Sequence, residues 1–352
     1  MNIQYFKTRL IYKIRFKLQH RLPVNAIKEH KKGPKNYLLG TIEHMNYGDQ
    51  AINIGESKLL NDVGLDVINI PESFIDEALP LIKASIKPND VIYCHGGGNM
   101  GDVWPEQEVW RQKIFKAFPD NNIVVFPQSV NYKEKSTLLK ATIEVAKSNK
   151  DLTILLRDKF SYQFVKDNFP ENVNVQLVPD IVMTLDKSNS KIERKTKVTA
   201  FLRRDIEKLT DTRIEVLLKK LQSKYAIEYS DTVSDNWFYI NENNRESFLD
   251  AKLVEFQSSR MIISDRLHGM VFAAITKTPA IIFDNNNHKI KNLYNTWLRD
   301  SKYIKFVDTS TTENEIDEIL QQLEKNQIFK LEQTEFKNKI IAAIPTLERS
   351  IK

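Results

Sequence analysis

The sequence predicts an α/β protein built from two open parallel sheets that face each other across a cleft. Three observations carry this. The chain has 352 residues, too many for one ordinary core and suited to two domains of roughly 150 residues each. From Tyr37 onward, short β-branched runs alternate with amphipathic stretches, the signature of βαβ units. A polar segment at 186–197, DKSNSKIERKTK, divides that alternation into two series and reads as an interdomain linker.

The first series places strands at 37–42, 65–70, 90–94, 122–126, 152–156 and 173–178, with helical stretches between them, among them 108–118 and 133–148. The second places strands at 198–202, 226–229, 260–264, 279–283 and 303–307. The resulting division is a basic arm at 1–35, a first domain at 36–188, a second at 198–310 and C-terminal helices at 311–352. Ligands of such sheets bind outside the carboxyl ends of the strands, so chemistry is expected there.

Composition narrows the class. At 41% apolar and 28% charged residues the chain is ordinarily globular, which excludes wholesale disorder. A run such as Met270 to Ile275 is far short of the roughly 20 residues that span a bilayer. Charges recur every two or three positions in the first twenty residues, against a signal peptide. Cys94 is the single cysteine, which excludes an internal disulfide and a cysteine-rich zinc site and fits the cytoplasm. The net charge of +6 is uneven: residues 1–35 hold ten Lys and Arg against Glu29, giving +9, and the remainder is −3. A nucleic-acid enzyme carries its positive stripe on the folded body, so no nucleic-acid partner is expected.

Five strand-end motifs carry candidate chemistry. Asn46-Tyr47-Gly48-Asp49-Gln50 follows the first strand, where a glycine admits a ligand to the backbone and a helix N-terminus offers N–H donors to an anion. The bland alternative is a βα turn with Asp49 as N-cap. His95-Gly96-Gly97-Gly98-Asn99-Met100-Gly101-Asp102 follows the third strand and formally contains G-x-G-x-x-G. The next strand ends at Phe126-Pro127-Gln128 without the acid that would hold a ribose, which argues against a dinucleotide. A turn cradling phosphate or sugar, flanked by His95 and Asp102, remains, beside a strand-end histidine with a structural role. Arg157-Asp158 and Arg203-Arg204-Asp205 each put a guanidinium at a strand end, suited to phosphate or carboxylate or to a surface ion pair. Ser264-Asp265-Arg266-Leu267-His268-Gly269 sets Arg266 and His268 in a helix's first turn, with Asp265 placed to cap it. The chain has no P-loop, HExxH, nucleophile elbow or metal-ligand spacing, so the expected site binds anions and moves protons without a metal.

Taken together, N-x-G-D-Q-A at 46–51, G-G-G-N-M-G-D at 96–102, R-D-x-x-S at 157–161, V-P-D at 178–180 and S-D-R-L-H-G at 264–269 resemble the polysaccharide pyruvyl transferase family, in its bacterial exopolysaccharide-cluster type. The resemblance spans roughly residues 36–300. It implies two Rossmann-like domains in a GT-B-like arrangement, and transfer of pyruvyl from phosphoenolpyruvate, as co-substrate and with no other cofactor, to a sugar diol as a ketal. The R-L-H triplet, here Arg266-Leu267-His268, and an upstream arginine, Arg157 or Arg203, would serve the donor, with Gly97, Gly98 and Asn99 beside it.

An imidazolium with a pKa near neutrality suits the general acid, assigned to His268, and a carboxylate, Asp102 or Asp49, would take the hydroxyl proton. His95, Asn46 and Trp104 are the residues expected to meet the acceptor, a sugar or lipid-linked oligosaccharide. Residues 10–18 of the arm interleave apolar and basic side chains, which suits an anionic membrane surface at the inner face of the plasma membrane, or else a solvated tail or an arm packed on the −3 body. Two other functional classes fit the same fold: a glycosyltransferase using a nucleotide sugar and a non-catalytic polysaccharide-assembly protein.

Overall fold

The computed structural model describes residues 21–29, 33–205, 207–235, 240–325 and 330–347. The first sheet contains β1 (Asn36–Thr41), β2 (Val67–Pro71), β3 (Val91–Cys94), β4 (Gly97–Gly101), β5 (Asn122–Asn131), β6 (Asp151–Leu156) and β7 (Val173–Leu177). Its order is β2-β1-β3-β5-β6-β7, with β4 added onto β5. The second sheet, from β8 (Lys197–Phe201), β9 (Ala226–Ser230), β10 (Met261–Ser264), β11 (Ala280–Ile282) and β12 (Ile304–Phe306), runs β12-β11-β10-β8-β9. Every strand pair in both sheets is parallel. Parallel sheets are covered by helices on both faces, and β1, β3 and β10 are accordingly buried at every position.

One strand departs from expectation. β4 is the glycine run itself, lacking any β-branched residue, and it forms because β5 continues past Phe126 to Asn131 and offers a partner. Gly101 has φ +139°, and a methyl group there would lie 2.0 Å from the Asn131 carbonyl oxygen, so only glycine allows this approach.

Polar caps set the helix starts that face the cleft. Asn46, not Asp49, caps helix Tyr47–Asp62 by accepting from the Gly48 N–H at 2.9 Å. Asp158 caps Lys159–Asn168 by accepting from Ser161 N–H at 2.8 Å. Asp265 does not cap Leu267–Ile275; Arg266 occupies the N-cap position, and Asp265 accepts instead from the Arg203 backbone N–H at 2.7 Å, tying β10 to β8.

One apolar cluster joins the two halves. It includes Leu38 and Phe126 from the first sheet and Phe201 and Phe272 from around the second, and Tyr47 stacks on Phe248 with centroids 4.1 Å apart. The backbone is bridged as well: Tyr47 N–H donates to Thr232 O at 2.9 Å and Ser234 N–H to Met45 O at 3.0 Å. Of the C-terminal helices, Glu313–Lys325 lays Ile316, Leu320 and Leu323 under the second sheet. Helix Gln333–Ala342 returns to the first half, where Ile340 is buried and Lys337 pairs with Asp62 at 2.8 Å. Within the basic arm, helix Arg21–Lys28 buries Ile27 in the first domain's outer core, and Lys35 Nζ donates to its carbonyl at 2.5 Å. Residues 1–20, including the whole of the 10–18 segment expected to meet a membrane, lie outside the described residues. Among the described residues no helix is long and apolar enough to cross a membrane.

Candidate active site

Strand order reverses between β1 and β3 in the first sheet and between β8 and β10 in the second. These two switch points open onto one cavity of about 1050 Å³ between the domains. Asn46, Asp49, Gly98, Asn99 and Arg157 reach it from the first half, and Arg203, Arg266, Leu267, His268 and Lys289 from the second. Trp104, 49% exposed, stands on its wall beside Gln107 and Trp110.

The cations are strung together by carboxylates. Arg266 donates to Asp205 Oδ2 at 2.5 Å and to Asp231 Oδ2 at 2.7 Å. Arg203 donates through Nε to Asp205 at 2.9 Å and also pairs with Glu207, whose Oε1 accepts from Lys289 Nζ at 2.9 Å. Burial disfavours the Asp205 anion, but the two arginines win and hold its pKa down to about 2. Arg157, 1% exposed, donates from Nη1 to Asp180 at 2.8 Å and from Nε to Ser129 Oγ at 2.9 Å. Both arginines proposed for the donor therefore line the same cavity.

His268 faces this network. Its Nε2 lies 3.9 Å from Asp180 Oδ2, is buried, and has no hydrogen-bond partner among the described residues. Burial pushes the imidazole pKa down to about 4; Asp180 opposes this and Arg157 adds to it. The expectation of an imidazolium titrating near neutrality is thus corrected: burial sets this imidazole below the ordinary histidine value. Asn99 accepts at Oδ1 from Arg111 Nη2 at 2.6 Å and from Gln128 Nε2 at 3.1 Å, which leaves its amide NH₂ for the cleft.

Three expected site residues sit elsewhere. His95 is 1% exposed and lies behind the glycine strand, with Nδ1 2.8 Å from Glu56 Oε2, while Glu56 Oε1 accepts from Gly96 N–H at 2.7 Å. Burial alone would lower the His95 pKa, but the Glu56 carboxylate reverses this and raises it, so His95 belongs to a buried ion pair and not to the acceptor. Asp102 accepts from Lys133 N–H at 2.7 Å and Ser136 Oγ at 3.0 Å, which makes it a loop brace outside the cavity. Gly97, at φ +118°, is a buried link in β4 that does not line the cavity, whereas Gly98 does. Asn46 reaches the cavity with its side-chain oxygen already engaged as the cap. Of the two expected bases, Asp49 lines the cavity.

Lys289, Glu207 and Asp231 complete the site without having been singled out by sequence, and Asp205 joins them from within the Arg203-Arg204-Asp205 motif. Lys289 follows the fourth predicted strand of the second series, so the strand-end rule that pointed to Arg157 and Arg203 also covers Asn285-Asn286-Asn287-His288-Lys289. Among the described residues no group of three or more His, Cys, Asp or Glu is placed to hold a metal ion.

Two parallel α/β domains whose switch points face one cleft lined by Arg157, Arg203, Arg266 and Lys289 define a GT-B-like fold. The chain belongs to the polysaccharide pyruvyl transferase family, whose pattern it matches over residues 46–287. It is 35% identical to general stress protein 30 of Bacillus subtilis over 82% of this chain and 85% of that one. It is 31% identical to pyruvyl transferase 1 of Schizosaccharomyces pombe over 80% of this chain and 74% of that one. In fold it is similar to the crystal structure of an uncharacterised Klebsiella pneumoniae protein, with a TM-score of 0.56 and 14% identity, over 88% of this chain and 100% of that one.

Proposed function

We propose that this enzyme transfers pyruvyl from phosphoenolpyruvate to two hydroxyls of a sugar, forming a cyclic ketal during cell-surface polysaccharide synthesis. Family membership supports pyruvyl transfer in polysaccharide synthesis. The observation that carries the donor assignment is the grouping of Arg157, Arg203, Arg266 and Lys289 around an unpartnered His268 Nε2. Phosphoenolpyruvate brings a phosphate and a carboxylate, and fixed cations are what such a trianionic molecule requires.

The chemistry follows from these positions. A sugar hydroxyl adds to C2 of the enol phosphate, Asp49 takes its proton, and His268 delivers a proton to the methylene carbon, which becomes the methyl group. A donor anion beside His268 raises its pKa from the value set by burial, so the acid is charged when substrate is bound. Phosphate then leaves C2, taking the proton held by Asp49 and departing as hydrogen phosphate. The second hydroxyl bonds to the resulting oxocarbenium carbon, closing the ring and returning its proton to His268. Trp104 offers an exposed aromatic face to the acceptor sugar. The reaction belongs to the cytoplasm, at the membrane face where lipid-linked acceptors are built.

Incubation of the full chain with phosphoenolpyruvate and a panel of hexose acceptors tests this. Acceptor-dependent phosphate release with a product heavier by one carboxyethylidene group is expected. Transfer from a nucleotide sugar, with phosphoenolpyruvate untouched, would refute it.

A further inference from the structure

Trp297 lies beyond the residues matched by the family, yet it reaches across the domain boundary to the turn that carries Arg157. Its indole Nε1–H donates to the Arg157 carbonyl oxygen at 2.8 Å. One residue earlier, Thr296 Oγ1 accepts from the Lys159 backbone N–H at 3.2 Å. Two neighbours from the second domain therefore grip the chain on both sides of Asp158, the cap of helix Lys159–Asn168. Both sit on a π-helical turn, Tyr294–Leu298, which continues helix Lys289–Leu293. Such wide turns are rare and are found frequently at functional sites.

The same helical stretch begins at Lys289, which lines the cavity together with Arg157. It thus carries a second-domain cation into the cleft at its start and holds the backbone of a first-domain cation at its end. Within its own domain the Arg157 side chain is already fixed by Asp180 and Ser129. It also packs so closely on Gly98 that a methyl group there would lie 2.9 Å from Nη2. Trp297 is backed in turn by helix Gln333–Ala342, with Phe336 edge-on at 5.9 Å and Lys339 Nζ 4.9 Å from the ring centroid.

We propose that Thr296 and Trp297 are positioning residues that set the distance between Arg157 of the first domain and the cations of the second. This rests on the phosphoenolpyruvate reading above, in which Arg157 meets the donor. Fixed cations bind an anion well only when their spacing matches it. A slide of one domain on the other would move Arg157 relative to Arg203, Arg266 and Lys289 at once. A bond to a backbone carbonyl resists that slide, because it holds the main chain of the turn and not one rotamer.

Hydrogen exchange of the full chain and its calorimetric titration with phosphoenolpyruvate test this together. Trp297→Phe keeps a ring against Phe336 and removes the Nε1 donor. Amides in 157–162 should then exchange several-fold faster. Phosphoenolpyruvate should bind about five- to tenfold more weakly, the loss of one hydrogen bond. Thr296→Val should act in the same direction, and Thr296→Ser, which restores the hydroxyl, should return both readouts toward the wild type. In a double-mutant cycle with Arg157→Lys the losses of affinity should be less than additive, because both changes act on one group. A purely structural tryptophan would loosen 333–342 instead and give additive losses. The proposal is refuted if Trp297→Phe, folded by its melting transition, leaves exchange in 157–162 unchanged, or speeds it with no loss of phosphoenolpyruvate affinity. Additive losses in the cycle refute it equally. Should Trp297→Phe fail to fold, the two Thr296 variants decide by the same readouts. If the wild type binds no phosphoenolpyruvate while exchange in 157–162 responds to Trp297→Phe, the clasp stands and the donor assignment falls.

Discussion

Gly48 and His268, from opposite domains, touch so closely that a methyl group on Gly48 would lie 2.1 Å from His268 Nδ1. The helix that carries Gly48 thus fixes the imidazole, and the N-cap Asn46 fixes that helix. Gly48→Ala is compatible with the helical backbone but not with the histidine. The expected result is a folded protein, destabilised by about 1–3 kcal/mol through overpacking. Turnover should fall about 100-fold as the acid is displaced. Steady-state phosphate release beside a denaturation curve checks this; wild-type turnover would show that His268 is not held for catalysis by this contact.

Stability should report the burial of His268. Its pKa is about 4 in the folded chain and about 6.5 when unfolded, so the neutral form is favoured by folding. A depressed pKa contributes stability above the unfolded value, and that contribution is lost as pH falls from about 6.5 toward 4. The buried His95 shifts the other way, upward, so it does not add to this loss. Between pH 7.5 and 5 the wild type should therefore lose about 2 kcal/mol more than His268→Gln in urea unfolding. Parallel pH profiles for the two proteins would contradict the burial of this imidazole.

The two carboxylates that sequence offers as bases separate cleanly in space. Asp49 lines the cavity, whereas Asp102 braces Lys133 and Ser136. Asp49→Asn should keep donor affinity and lower turnover by about 100-fold, the usual effect of a missing general base. Asp102→Ala should instead cost about 1–3 kcal/mol of stability, from unpaired groups in the loop, with turnover per folded molecule nearly unchanged. Measuring both quantities for both variants is sufficient, and the reverse pattern would return Asp102 to the mechanism.

The strands were legible because a buried parallel strand is a continuous apolar run; each run predicted in both series lies within or beside an observed strand. β4 was not, because Gly97–Gly101 is a strand by virtue of its partner β5 and not of its own residues. Arg157, Arg203, Arg266 and His268 were found through their place at strand ends. Asp180 and Asp205 stood in named motifs, but nothing in those motifs tells that Asp180 meets Arg157, 23 residues away, or that Asp205 meets Arg266; Asp231 and Glu207 were hidden outright, 35 residues from Arg266 and 82 from Lys289. No periodicity connects such pairs; only the meeting of the two sheets does. The charged-histidine expectation failed for a related reason, since spacing does not reveal burial.

The basic arm yields the last prediction. Its +9 charge and interleaved apolar residues suit an anionic membrane, but helix Arg21–Lys28 is part of the folded body through Ile27, which is 1% exposed. Removing that helix would expose a buried isoleucine, worth about 1.5–3 kcal/mol, and would mix a folding defect with a binding defect. The cut that isolates the arm is therefore after residue 20. Deleting residues 1–20 removes Lys7, Arg9, Lys13, Arg15 and Lys17, five positive charges, and leaves every proposed donor residue in place. The shortened protein should melt as the full chain does and bind phosphoenolpyruvate equally, yet no longer sediment with phosphatidylserine vesicles. Each basic residue near such a surface contributes about 1 kcal/mol, and the attraction fades as salt shortens its range. Binding by the full chain should accordingly be strong at low ionic strength and weak at high. Full-length protein that stays in the supernatant even at low salt would exclude the membrane role, and vesicle binding that survives the deletion would assign it to the body instead.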